Sequence, residues 1–219
     1  MSNRLAVFDC DGTLVDSQHS ICTAMTLAFE GEKLAAPDRA AILSVVGLSL
    51  PLAIARLLPE AEADFHHHLS ESYKRAFQQM RRDNGVSEPL YPGIAELIRR
   101  LDADGWLLGV ATGKSDRGLN LCLSHHGIHA HFVTLQTADR HPSKPHPSML
   151  LTAMADAGAA PETTVMIGDT SYDIDMALSA GTRALGVGWG YHPPADLIAA
   201  GAHGVAMDSD ELSDHIRAT

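Results

Sequence analysis

The chain alternates short, unbroken apolar runs with helical patterns, and this alternation constrains its fold more than any other feature. Leu5 to Phe8 is an apolar run that stops at Asp9, and Trp106 to Ala111 is another that stops at Thr112. His131 to Leu135 gives a third run, Thr164 to Ile167 a fourth ending at Gly168-Asp169, Ala184 to Trp189 a fifth, and Gly204 to Met207 an edge strand. Apolar runs without polar alternation fit strands covered on both faces. Between them, Ile94, Leu97, Ile98 and Leu101 mark one helical face opened by Pro92-Gly93. Pro147 to Ala157, Ser171 to Ala180 and Pro194 to Ala200 behave similarly. Strand–helix alternation implies a parallel sheet in an α/β sandwich. Ligands gather at the carboxyl ends of such strands, so Asp9, Thr112 and Asp169 mark where chemistry belongs.

One stretch breaks the pattern. From about Ser17 to Pro89 only helical periodicity appears. Phe65, Leu69, Tyr73, Phe77 and Met80 form one apolar stripe. Ile42, Val45 and Val46, then Leu50, Ile54 and Leu57, suggest two shorter helices broken at Gly47 and Pro51. The expected organisation is a core of residues 1–16 and 90–219, with residues 17–89 inserted as an all-helical cap above the active end of the sheet.

Composition narrows the function classes. With 219 residues, 45% of them hydrophobic, the chain can bury one substantial core, as one domain or as a core domain with a smaller appendage, and 5% aromatics leave that core to Leu, Ile, Val, Ala and Met. A formal charge of −11 argues against nonspecific nucleic-acid binding and against a polybasic membrane contact. An anionic substrate stays open, because a metal ion and a few local cations reverse the field inside one cleft. Cys10, Cys22 and Cys122 lack metal-ligand spacing and read as free thiols in a reducing cytoplasm. Met1 to Arg4 shows no signal-peptide pattern, and no apolar run approaches the roughly 18 to 20 residues of a membrane span. The expectation is a cytoplasmic monomer or homodimer.

The chemistry-bearing residues sit where the runs end. In Asp9-Cys10-Asp11-Gly12-Thr13-Leu14, two carboxylates two residues apart follow a buried strand, which is costly unless something cationic joins them. A hard cation such as Mg²⁺ accepts one or two carboxylates, and the N–H groups of a turn at Gly12 and Thr13 form an anion nest. Alone, Asp-x-Asp-Gly is an ordinary Asx turn. Thr112-Gly113-Lys114 offers a hydroxyl to a phosphate oxygen, or a helix N-cap. Lys144 lies in Pro142-Ser143-Lys144-Pro145, where the prolines restrict its backbone and a fixed ammonium suits a transferring phosphoryl group. In Gly168-Asp169-Thr170-Ser171-Tyr172-Asp173, Asp169 is placed to complete a metal site. Asp173, one helical turn on, is placed to orient a metal-bound water or Lys144; helix capping is the parallel reading.

Together, Asp9-Cys10-Asp11-Gly12-Thr13-Leu14, Thr112-Gly113-Lys114, Lys144-Pro145 and Gly168-Asp169-x-x-x-Asp173 resemble the four motifs of the haloacid dehalogenase-like superfamily, in order, spacing and strand-end placement. The resemblance spans nearly the whole chain and is nearest to the phosphoglycolate phosphatase-like branch, whose re-entry into the core Tyr91-Pro92-Gly93 resembles. It implies a Rossmann-like sheet sandwich with an α-helical cap. It also implies a Mg²⁺-dependent phosphatase acting on a small-molecule phosphate ester, with Asp9 as nucleophile and Asp11 as acid and base. Thr112 and Lys144 then hold phosphoryl oxygens, with Gly12, Thr13 and Gly113 beside them. Asp9, Asp11, Asp169 and Asp173 form the implied metal set.

Asp11 argues against the dehalogenases of the family, which lack that second carboxylate. A sugar phosphomutase shares the catalytic set and stays open, although Gly47 is followed by Leu48-Ser49-Leu50 rather than by a cation. A phosphometabolite-binding module without catalysis is a further alternative, against which both Asp9 and Asp11 speak. Specificity is expected in the cap, at Gly47, Ser49 and Arg56, with Lys74 or Arg75 as further cations. His66-His67-His68 is not expected to bind metal, since adjacent helical residues point in different directions. Cys10 is assigned no nucleophilic role, and Met25 and Met80 read as core filler.

Overall fold

The computed structural model describes residues 3–218; Met1 and Ser2, which open the segment tested for a leader pattern, and Thr219 lie outside the described residues. Six strands form one fully parallel sheet: β1 (Asn3–Phe8), β2 (Leu107–Thr112), β3 (Phe132–Thr137), β4 (Ala159–Gly168), β5 (Arg183–Val187) and β6 (Gly204–Ala206). Their order is β3-β2-β1-β4-β5-β6, a doubly wound arrangement in which the connections diverge at β1 and β4. Both neighbours of this switch point end in aspartate, Asp9 after β1 and Asp169 at the end of β4.

Alternation along β1 shows why its run carries no polar residue. Ala6 and Phe8 enter one apolar cluster, with Ile94, Leu97, Ile98 and Leu101 of α5 (Ile94–Ala103) and Leu119 and Leu123 of α6 (Asp116–His125). Leu5 and Val7 enter the other, with Met149, Leu150 and Ala153 of α7 (Ser148–Ala157) and Ile174 and Ala177 of α8 (Ser171–Ser179). All four β1 side chains are fully buried, as a central strand between two helical layers requires. Helix α9 (Pro194–Ala199) joins the second layer through Leu197, and α10 (Ser209–Arg217) the first through Leu212 and Ile216.

Before β2, the chain forms only helices among the elements between Ser17 and Pro89: α1 (Gln18–Gly31), α2 (Arg39–Ser44), α3 (Leu50–Leu57) and α4 (Ala63–Arg82). Ile21, Met25, Phe29, Ile42, Ile54 and Leu69 bury one another in a cluster of their own. The segments entering and leaving this unit run side by side: Val15 bridges Leu90 in antiparallel sense, Asp16 N–H donates to Pro89 O at 2.8 Å, and Tyr91 N–H to Leu14 O at 3.0 Å.

Several boundaries move from the sequence reading. Pro51 breaks no helix; it lies in the first turn of α3, where its missing N–H costs nothing. His131 belongs to a short 3-10 turn, and the strand begins at Phe132. Trp106 precedes β2, buried with the Arg4 guanidinium 4.8 Å from its ring centre. Strand β5 stops at Val187, so Gly188 and Trp189 belong to the loop beyond it.

Candidate active site

Asp9 leaves the end of β1 with its side chain fully buried. Its Oδ1 accepts the N–H of Cys10 at 2.6 Å. Its Oδ2 lies 2.9 Å from Lys144 Nζ, with no donor aligned on it for a hydrogen bond among the described residues. Lys144, also fully buried, donates to Asp173 Oδ1 at 2.6 Å. Asp173 Oδ2 accepts from the Thr170 hydroxyl at 2.7 Å and its N–H at 3.1 Å, so helix capping and the hold on Lys144 coexist in one carboxylate. Asp169 takes the Thr13 hydroxyl and the Tyr191 N–H, each at 2.9 Å.

Burial dominates the electrostatics. Desolvation lifts Asp9 from 3.8 to about 7, against the attraction of Lys144 and with the repulsion of Asp173. Desolvation, then Asp9 and Asp173, raise Asp169 well above the usual carboxylate range, against the Tyr191 and Thr13 hydrogen bonds. Burial alone would lower Lys144, yet Asp173 and Asp9 outweigh it and hold the ammonium above its ordinary value. The cluster is short of positive charge.

That shortage suits a hard cation. Asp9, Asp169 and Asp173 each present an oxygen within 4.8 Å of the others, and the unaligned Asp9 Oδ2 is a free lone-pair site among them. The backbone is cut to fit around Asp169. A Cβ on Gly12 (φ +84°) would sit 2.1 Å from Asp169 Oδ2, and one on Gly190 2.1 Å from Asp169 Cβ.

Asp11 belongs to a second ion-pair chain. Its Oδ1 accepts from Ser17 Oγ at 2.5 Å and from Lys114 Nζ at 2.7 Å. The same ammonium lies 2.9 Å from Glu88 Oε1, and Glu88 Oε2 pairs with Arg81 of α4 at 2.7 Å. Burial would lower Lys114, but Asp11 and Glu88 hold it well above its ordinary value.

A cavity of about 610 Å³ opens between the sheet end and the helices α1 to α4, and Asp9, Asp11 and Thr112 line it. The loop from Gly47 (φ +96°) closes on it so tightly that a Cβ on Gly113 would meet Leu48 O at 2.5 Å and Gly47 O at 2.8 Å. Ser49 N–H donates to Ser143 Oγ at 2.8 Å.

The family model described as "Haloacid dehalogenase-like hydrolase" matches residues 6–187. The chain belongs to that family. Among relatives of this hydrolase, a Dickeya dadantii protein named "Probable phosphatase IndB" is 36% identical, covering 90% of this chain and 86% of its own. A "Phosphoglycolate phosphatase" of Cereibacter sphaeroides is 34% identical over 96% of each chain. A solved structure titled as a predicted phosphatase from Clostridium acetobutylicum superposes with a TM-score of 0.90 at 24% identity, covering both chains completely, which speaks to the fold.

The hydrolase brings Asp9, Asp11, Gly12, Thr13, Thr112, Gly113, Lys144, Asp169 and Asp173 to one end of the sheet, and Gly47 and Ser49 to its rim. It does not bring Arg56 there. Arg56 is exposed and outside the cavity lining, donating to Tyr172 Oη at 2.7 Å with its guanidinium 5.0 Å from that ring's centre. In the histidine run, His66 meets Leu58 O and His68 meets Glu32, so the rings diverge as expected. Cys10 is buried, its thiol raised well above its ordinary range chiefly by its contact with Cys122.

Four residues to which the sequence reading gave no role take part. Ser17, Glu88 and Lys114 surround Asp11, and Tyr191 joins the two aspartates: its N–H holds Asp169 and its hydroxyl lies 3.0 Å from Ser17 Oγ. Gly188-Trp189-Gly190-Tyr191, just past a strand end, carried a signal for Tyr191. Trp189 Nε1 also donates to Thr13 O at 3.2 Å.

Proposed function

We propose that this hydrolase is a Mg²⁺-dependent phosphatase that cleaves a small-molecule phosphate monoester through an aspartyl-phosphate on Asp9. The observation that carries the reading is the pair of carboxylates in different settings. Asp9 is fully buried, its Oδ2 beside Lys144 at 2.9 Å with no donor aligned on it among the described residues, while Asp11 is gripped through one oxygen by Ser17 and Lys114.

In this reading Asp9 attacks phosphorus, and the P–O bond to the alcohol breaks as Asp11 gives the leaving oxygen its proton. Oδ1 of Asp11 is held by Ser17 and Lys114, so Oδ2 is the oxygen through which this transfer runs. Asp11 then takes a proton from water, which attacks the aspartyl-phosphate and releases inorganic phosphate and Asp9. Thr112 and the N–H groups of the turn at Gly12 and Thr13 hold phosphoryl oxygens, and Lys144 balances their charge. Mg²⁺ would be held by Asp9 and Asp169, with Asp11 beside them, and would supply positive charge between an anionic nucleophile and an anionic substrate. Asp173 acts through Lys144 and through the arrangement of the metal ligands.

Residues 17–89 serve as the cap and residues 1–16 with 90–219 as the core; the paired strands of chain at Val15 and Leu90 and the separate apolar cluster of α1 to α4 support that division. No helix among the described residues is long and apolar enough to cross a membrane, and the free cysteines fit a cytoplasmic setting. The name of the Cereibacter relative makes 2-phosphoglycolate the first ester to try.

The test is phosphate release from monoesters with Mg²⁺ and without any bisphosphate activator, a condition a phosphomutase does not satisfy. Asp9→Asn is expected to lower kcat by more than about a thousandfold. Equal turnover by the variant removes Asp9 from the mechanism.

A further inference from the structure

The cavity above Asp9 is far larger than a two-carbon leaving group. At about 610 Å³ it lies within the range that encloses drug-sized ligands, roughly 300 to 1,000 Å³. Its cap-side wall is made by Ile21, Met25, Val46, Leu48, Tyr73 and Phe77, and Leu121 of α6 adds an apolar side chain from the core. Phe77 is held on the wall with Arg81 and Lys114 5.6 and 5.9 Å from its ring centre.

The cations of the cavity matter as much as its apolar wall. A carboxylate beside the phosphate, as in phosphoglycolate, needs a cation of its own close to the reacting centre. Lys114 is nearest to Asp11 but already shared between Asp11 and Glu88, and Arg81 is paired with Glu88. Arg56 is outside. Lys74, Arg82 and Arg117 line the cavity as exposed side chains, where water competes for any anion. Apolar carbon attached to the ester oxygen meets a ready wall; a short carboxylate meets cations that are already paired or out in water.

We propose that the substrate is a phosphate monoester whose alcohol carries a bulky, mainly apolar group with a ring, and that Phe77, Tyr73, Met25 and Leu121 read that group. The inference rests on the phosphatase reading above. The ring packs against the cap wall while the phosphate stays on the floor formed by Asp9, Asp11 and Thr112.

The experiment compares ethyl phosphate, 2-phenylethyl phosphate and 2-phosphoglycolate, all esters of primary alcohols, with Mg²⁺ and the full chain. The expected result is a kcat/KM about tenfold or more higher for the phenylethyl ester than for the ethyl ester, with 2-phosphoglycolate below the phenylethyl ester. Equal or better turnover of 2-phosphoglycolate overturns the substrate class and leaves the phosphatase reading standing. No phosphate from any of the three, or from p-nitrophenyl phosphate, overturns the reading beneath it and the inference with it. Phe77→Ala tests the wall, but Phe77 also packs within the cap, so Leu121→Gln on the exposed side of α6 is the second variant. Both are expected to lower the phenylethyl-to-ethyl ratio of kcat/KM severalfold. A ratio unmoved in Leu121→Gln and in folded Phe77→Ala shows that the wall does not read the alcohol.

Discussion

On the core side of the cavity, Asp9, Lys144, Asp169 and Asp173 are all 0% exposed, Lys144 pairing with Asp9 and Asp173 while Thr13 and Tyr191 hold Asp169, whereas on the cap side the wall is Met25, Val46, Tyr73 and Phe77, with Lys74 and Arg82 out in solvent. The core side holds buried charge; the cap side holds buried and half-buried carbon. Buried charge is expensive and survives only with fixed partners, so its positions are dictated residue by residue. Buried carbon tolerates exchange among residues of similar volume. The reaction is therefore tied to particular side chains, and the choice of alcohol to a surface that can be repacked.

Replacing Lys144, a fully buried cation, tests the first half of that contrast hardest. Lys144→Met keeps most of the volume but leaves Asp9 and Asp173 without their shared ammonium. Removing one partner of a buried pair costs on the order of 3–5 kcal/mol, so urea denaturation should show a loss of that size along with loss of turnover. A loss below about 1 kcal/mol would mean that the core charges are not balanced by Lys144.

A smaller effect follows from the carboxylates themselves. Asp9 is raised from 3.8 to about 7 in the folded chain and Asp169 is raised as well, so the folded protein binds protons that the unfolded chain releases. In metal-free protein their favourable contribution is complete below about pH 4 and is lost as pH climbs through 7. Thermal melts without metal should therefore fall across that window. Mg²⁺ needs both groups ionised, so the rise in Tm on adding Mg²⁺ should be small near pH 5 and largest near pH 8. A metal-induced rise that does not grow with pH would separate the ion from these two aspartates.

The same contrast explains what could be read from the chain alone. Leu5 to Phe8 announces a central strand because both its faces are covered, and Asp9, Thr112 and Asp169 stand out as polar residues at the ends of apolar runs. The cap wall gives no such signal. Met25 reads as core filler and Phe77 as one stripe of an amphipathic helix, and each is packed in the cap cluster while also facing the cavity. Glu88 was silent for another reason: it precedes a proline in an irregular segment, and only the fold sets it between Lys114 and Arg81. Pro51 misled because proline breaks a helix interior yet suits its first turn.

Glu88 sits on the boundary between the two sides, and its replacement sharpens the comparison. Glu88→Gln keeps the shape but leaves Lys114 to Asp11 alone and Arg81 without its carboxylate. Stability should fall by about 1–3 kcal/mol, the cost of unpaired buried polar groups. A stronger hold of Lys114 on Asp11 should also lower kcat severalfold with little change in KM for ethyl phosphate. If KM rises and kcat stays constant, Glu88 shapes the cavity rather than the acid–base carboxylate.

The smallest effect is expected at Arg56, the cation that the sequence placed at the substrate and the fold places elsewhere. Its guanidinium lies over Tyr172 and hydrogen-bonds its hydroxyl, which in turn donates to Ser44 O at 2.9 Å, so Arg56 ties α3 to the start of α8 from the outside. An exposed cation–π contact of this kind contributes about 0.5–1 kcal/mol. Arg56→Ala should cost no more than that in a urea melt and change kcat/KM less than about twofold for charged and uncharged alcohols alike, since no substrate atom in the cavity reaches it. A selective rise in KM for 2-phosphoglycolate would mean that the cap turns during turnover far enough to bring Arg56 inside, and the cap side would then hold a working charge after all.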